Sequence, residues 1–113
     1  MGDFLGLVTG AALQVGIVGE WANISECDSE RIVFAGTGDY FFLNKKKEKW
    51  KVQEEGVWVV ENDTVKFGPK DSDNISKLKV SAYTPQSISF CKFNNKGEVD
   101  CGDVLYVERC GER

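Results

Sequence analysis

The most constraining feature of this sequence is a recurring short apolar run, closed each time by a polar or glycine-bearing turn. Trp21-Ala22-Asn23-Ile24, Arg31-Ile32-Val33-Phe34, Tyr40-Phe41-Phe42-Leu43, Gly56-Val57-Trp58-Val59-Val60 and Thr64-Val65-Lys66-Phe67 follow one another in this way. Lys77–Tyr83, Ser87–Phe90 and Val104–Val107 complete the series. The runs are rich in β-branched and aromatic residues, and several alternate with period two. Leu78, Val80 and Ala82 share one face, as do Ile88 and Phe90. Turn chemistry separates the runs: Gly36-Thr37-Gly38-Asp39, Glu61-Asn62-Asp63, Gly68–Ile75, Thr84-Pro85-Gln86 and Asn94-Asn95-Lys96-Gly97. No long amphipathic helical pattern lies between the strands, which disfavours a βαβ architecture.

This pattern predicts an all-β domain, a small antiparallel meander β-barrel of about eight short strands. Strands this short need cross-strand packing, and closure would remove exposed edges. The 113 residues suit one domain with one modest core. Residues 19–113 form the β domain in this reading, and residues 1–18 an apolar N-terminal cap or leader remnant. Phe4–Val18 is strongly apolar, but Asp3 precedes it where a secretion signal carries basic residues. Its glycines weaken a long helix, leaving one or two helical turns within residues 3–15. The stretch is short for a membrane span, so integral membrane insertion is not expected.

Charge and residue usage narrow the function classes. The formal net charge is −4, which argues against a general nucleic-acid binder. The chain has no histidine, so Ser-His-Asp and Cys-His catalysis within it are excluded. Four cysteines, Cys27, Cys91, Cys101 and Cys110, are spaced 64, 10 and 9 residues apart. No CxxC pair sets up a zinc or thioredoxin-like site. Three full disulfide pairings are possible, and free thiols are a further alternative. Cys91 and Cys101 are equidistant from Lys96, so a symmetric hairpin places them opposite each other, leaving Cys27 with Cys110. Cys27–Cys101 with Cys91–Cys110 is the rival, and a bulge near Phe93 would upset the simple count. Disulfide use would place the protein in the periplasm or outside the cell.

Residue by residue, the chemical candidates have plain structural readings. Asp71, Asp73 and Asn74 do not continue into a calcium-loop pattern. Asp100 and Asp103 read as turn residues, and Glu20, Glu26 and Glu30 specify no acid pair. No metal or cofactor is expected. The sequons at Asn23, Asn62 and Asn74 fall where Asn and Ser favour turns. Lys45, Lys46, Lys47, Lys49 and Lys51 form a basic run around Trp50, with Glu48, Glu54 and Glu55 nearby. Three readings compete for it: a solvated hairpin loop, a docking patch for an acidic protein partner, and phosphate contact with base stacking.

Gly19-Glu20-Trp21 resembles the G-x-W entry to the first strand of lipocalin-type barrels. Ile32-Val33-Phe34, Gly38-Asp39-Tyr40 and Gly56-Val57-Trp58 look like segments of small bacterial lipocalin-like domains. The resemblance covers roughly residues 18–67 and implies a core role for Trp21 near the barrel base. Phe34, Phe42, Trp58, Phe67 and Phe90 join Trp21 as residues that line either a ligand pocket or a filled core. Related barrels include small-ligand carriers and periplasmic enzyme inhibitors. The expectation is a non-enzymatic binding or interaction module, of the exported inhibitor type. A carrier of a small apolar ligand and an enzyme with an unrecognised carboxylate site are the alternatives.

Overall fold

The computed structural model describes residues 10–113. One helix, α1 (Gly10–Ile17), precedes eight strands: β1 (Gly19–Asn23), β2 (Glu30–Phe34), β3 (Asp39–Lys46), β4 (Lys49–Glu61), β5 (Thr64–Gly68), β6 (Ser76–Thr84), β7 (Ser87–Phe93) and β8 (Val99–Arg109). Each strand is antiparallel to its chain neighbours, as a meander requires. The sheet closes through β1, which pairs with β8 as well as with β2. That seam is narrow, running from Trp21↔Arg109 to Asn23↔Val107.

The expected barrel of evenly short strands needs correction. Strand lengths run from 5 residues in β1 to 13 in β4 and 11 in β8. The closed part is therefore only a collar. Beyond it, the β3–β4 and β7–β8 hairpins extend with the far edges of β4 and β8 unpaired among the described residues, because β5 joins β4 only from Val57 to Glu61 and β1 joins β8 only from Val107 to Arg109. The segment from Asn44 to Glu55 is thus ladder and not loop: Lys45 pairs with Trp50 and Lys46 with Lys49. Charged side chains hid this strand, because a ribbon with solvent on both faces carries no apolar alternation. Asp100 and Asp103 likewise lie within β8 and not in a turn.

The core forms where the alternating runs face inward. Trp21, Phe34, Tyr40, Trp58, Val65, Val80, Ile88, Phe90 and Val107 are buried there, with Leu13 and Ile17 from α1. Ile32, Phe42, Phe67, Leu78, Tyr83 and Leu105 pack against them, partly buried. Leu13 and Ile17 lie one helical turn apart, so both reach the core from one face of α1. The sequence placed helical turns in residues 3–15; residues 3–9 of that expectation lie outside the described residues, and the helix runs on to Ile17.

Polar contacts pin α1 across its end of the sheet. The Trp21 indole donates to the Ile17 carbonyl at 2.8 Å, and the Tyr83 hydroxyl donates to the Gly16 carbonyl at 3.1 Å. Arg109 donates to the Gly16 and Val18 carbonyls at 2.7 and 3.0 Å while its guanidinium lies 4.2 Å from the Trp21 ring centroid. These donors satisfy carbonyls that a helix C-terminus leaves open. Gly19 permits the turn into β1: its φ is +142°, and a Cβ there would sit 2.4 Å from the Arg109 guanidinium.

Two disulfides complete the framework, Cys27–Cys110 and Cys91–Cys101. They are the pairs that hairpin symmetry favours, but the second is not a simple cross-strand bridge. Lys92 pairs with Asp100 and Cys91 with Val104, so Cys101, Gly102 and Asp103 form a bulge. The disulfide ties that bulge to the buried Cys91.

Candidate functional site

The aromatic candidates converge, and they converge by packing on one another. Phe34 lies 5.0 Å from Trp58, 5.8 Å from Phe67 and 6.1 Å from Tyr40 between ring centroids, and Tyr40 lies 4.9 Å from Phe67. Such separations are those of aromatic rings in contact. Trp21 and Phe90 are buried in the same core, and the Trp58 indole donates to the Ala35 carbonyl at 2.8 Å. Trp21 and Phe42 also line a pocket of about 40 Å³ with Ile32, Asn23 and Glu30. That space suits ordered water, whereas small-molecule sites span roughly 300–1,000 Å³. A groove of about 400 Å³ lies along the β4–β5 flank, lined by Val57, Val59, Lys66, Phe67 and Ile75 around Trp58.

One polar group enters the aromatic cluster. The Tyr40 hydroxyl donates to Glu54 Oε2 at 2.6 Å. Burial, followed by that hydrogen bond and the carboxylate's charge, pushes the Tyr40 phenol well above its ordinary value. The phenol is thereby held as a neutral donor.

The basic run builds a second, exposed feature. Lys47 and Glu48 form the two-residue turn of the β3–β4 hairpin, with φ of +52° and +67°. Pairing sorts the run onto two faces. Lys45 and Trp50 share one; Asn44, Lys46, Lys49 and Lys51 share the other. Trp50 is held against the sheet by two cations, with the Arg31 guanidinium at 5.3 Å and the Lys45 ammonium at 5.7 Å from its ring. The run is therefore an ordered ribbon with a braced aromatic, not a solvated loop.

Arg31 is the residue that sequence reasoning missed. It alternates with Ile32 and Phe34, so it lies on the outer face, yet it is only 3% exposed. The C-terminal segment covers it: Arg31 donates to the Gly111 carbonyl at 2.5 Å, to the Cys27 carbonyl at 2.7 Å and to Glu20 at 3.1 Å. Arg113 reaches the same Glu20 at 3.0 Å. Only its place at the start of an apolar run marked Arg31 out, and that pattern cannot name partners 80 residues away.

Three other titratable candidates have local partners. Glu26 accepts from Ser29 at 2.6 Å, Asp100 accepts the Gly102 amide at 2.9 Å, and Asp103 pairs with Lys92 at 3.1 Å. Asp71 adopts a left-handed turn conformation. Among the described residues, no group of three or more His, Cys, Asp or Glu is arranged to hold a metal ion. The sequon asparagines Asn23, Asn62 and Asn74 are exposed. No described helix is long and apolar enough to cross a membrane.

No protein family, curated protein or solved structure matches this chain. The lipocalin-like assignment drawn from Gly19-Glu20-Trp21 is corrected by that result. The physical reason is that the triplet has a sufficient local cause. A glycine is needed at a positive φ beside Arg109, and a tryptophan closes the helix-capped end.

Proposed function

We propose that this chain is a non-enzymatic interaction module whose docking element is the β3–β4 hairpin, and that its partner is an acidic, extended protein segment. The observation that carries this reading is the outer edge of β4 from Lys49 to Gln53, which has no strand partner among the described residues and carries Trp50 between Lys49 and Lys51. An open strand edge offers backbone donors and acceptors to an added strand, and alternate side chains select its sequence. Lysines at such an edge repel basic partners and favour acidic ones. Base stacking is a weaker use of the same hairpin, since the Trp50 ring already carries the Arg31 and Lys45 cations. The close aromatic contacts favour a filled core over an internal carrier. Two disulfides agree with an oxidising compartment, and we place the module in the periplasm or outside the cell on that ground.

The test is a titration with a short peptide alternating Glu and Val, against a control with Lys in place of Glu. The acidic peptide is expected to shift the Trp50 indole resonance and to lose binding in Lys49→Glu/Lys51→Glu. Equal binding of both peptides, or shifts confined to other surfaces, would overturn the reading.

A further inference from the structure

The molecule carries a second open strand edge whose chemistry is the complement of the first. β1 pairs with β8 only from Val107 to Arg109, so the same edge of β8 from Val99 to Tyr106 has no strand partner among the described residues. Every residue from Val99 to Val104 is exposed, with Val99 at 43% and Val104 at 48%. Acidic residues flank Val99 as lysines flank Trp50: Glu98-Val99-Asp100 stands against Lys49-Trp50-Lys51. Laying one triplet beside the other puts a lysine opposite each carboxylate and Trp50 opposite Val99. The match holds in either strand direction, because both triplets are symmetric about the apolar residue. Glu98 is exposed and forms no ion pair among the described residues; Asp100 holds the Gly102 amide with one oxygen only.

We infer that the acidic partner of the hairpin is the β8 edge of a second copy of this chain, added to β4 strand to strand. This inference rests on the docking role proposed for the hairpin. Like edges do not pair: β4 against β4 sets lysines against lysines, and β8 against β8 sets carboxylates against carboxylates. The contact is therefore heterologous: one copy keeps its β8 edge free and the other its β4 edge, so the pair still presents one edge of each kind. Such contacts extend head to tail unless a ring closes. Few strand pairs are involved, so association is weak and rises with concentration, and salt screens it.

Sedimentation of the intact, oxidised protein over a concentration series at low salt is expected to show the average mass rising past a dimer. High salt is expected to return it to a monomer. Lys49→Glu/Lys51→Glu makes both edges acidic, and Glu98→Lys/Asp100→Lys makes both basic. Each variant alone is expected to need about tenfold more protein for the same association. Mixing the two is expected to restore assembly, with amide exchange slowed at Lys49–Gln53 and Val99–Tyr106. Circular dichroism establishes that each variant is folded, as exposed charge changes on a ribbon allow. A wild type that stays monomeric throughout, association that survives either reversal, or a mixture that fails to assemble would overturn the inference. Acidic-peptide binding measured on the same samples separates this failure from failure of the docking reading, which does not need a second copy.

Discussion

Cys91 is covalently bonded to Cys101, yet its partner across the β7–β8 ladder is Val104. The disulfide thus staples a bulge to the core strand, and it closes a separation of only 10 residues. Cys27–Cys110 closes 83 residues and holds the C-terminal segment over Arg31. In the chain-entropy picture the short loop contributes about 2.7 kcal/mol and the long one about 4.5 kcal/mol. Cys27→Ala/Cys110→Ala is therefore expected to lose about 2 kcal/mol more stability than Cys91→Ala/Cys101→Ala. Urea unfolding of both variants checks the order, and equal losses would count against it.

Arg31 is a buried cation held by two carbonyls and one carboxylate. Its partner Glu20 is 24% exposed in the side chain and keeps some water when the pair is broken. Arg31→Ala is expected to cost roughly 2–4 kcal/mol, toward the lower end for buried pairs. Arg31→Lys is expected to recover less than half of that, because an ammonium cannot present the guanidinium fork. Denaturant unfolding measures both losses, and amide exchange at residues 110–113 should rise in both variants.

The β3–β4 turn uses Lys47 and Glu48 where both φ values are positive. Two-residue hairpin turns of that kind prefer Asn-Gly. A left-handed conformation costs roughly 1–2 kcal/mol in an ordinary residue. Lys47→Asn/Glu48→Gly is therefore expected to raise stability by about 1 kcal/mol, less the entropy that glycine adds to the unfolded chain. A rise in melting temperature with an unchanged Trp50 environment would agree. A fall would mean that the native lysine and glutamate side chains make contacts worth more than the turn strain.

Tyr40 links stability to alkaline pH. Burial and the Glu54 hydrogen bond raise its pKa in the folded state above the ordinary value near 10. The sign follows from proton count: above about pH 10 the unfolded chain releases the phenolic proton while the folded chain keeps it. Its contribution is complete below that pH and is lost as pH rises toward the folded value, at up to about 1.4 kcal/mol per pH unit. Tyr40→Phe is expected to flatten this part of the stability curve, at a cost of about 1 kcal/mol near neutral pH. Unfolding curves between neutral and strongly alkaline pH compare the two proteins, and identical slopes would refute the assignment.

Much of the strand order was legible because one face of each central strand is buried. Val65 and Phe67, or Ile88 and Phe90, announce a half-buried strand by alternation alone. The extension of β4 back to Lys49 and of β8 back to Val99 was not legible. Those segments are ribbons with water on both faces, so nothing in their hydropathy separates strand from loop. Hairpin symmetry favoured the observed disulfide pairs without excluding the rival pairing, while the bulge beneath Cys101 depends on register, which composition does not encode. Gly56 shows the same limit. A Cβ there would lie 1.9 Å from the Gly68 carbonyl oxygen, a contact that exists only once β5 pairs alongside β4.

The sequence by itself determined an all-β meander, inward pairs such as Val65 with Phe67 and Ile88 with Phe90, the absence of histidine chemistry and a basic run around Trp50; it put Ala82 on the inward face of β6, where a bulge turns it outward and brings Tyr83 in. Local periodicity and residue chemistry act within a few positions and need no distant partner. Tertiary structure alone decided how narrowly β1 meets β8, what covers Arg31, which cations brace Trp50 and which strand edges stay open. Each of these depends on where segments far apart in the chain come to rest. An open edge is defined by the strand that is missing beside it, and no single segment records its neighbours.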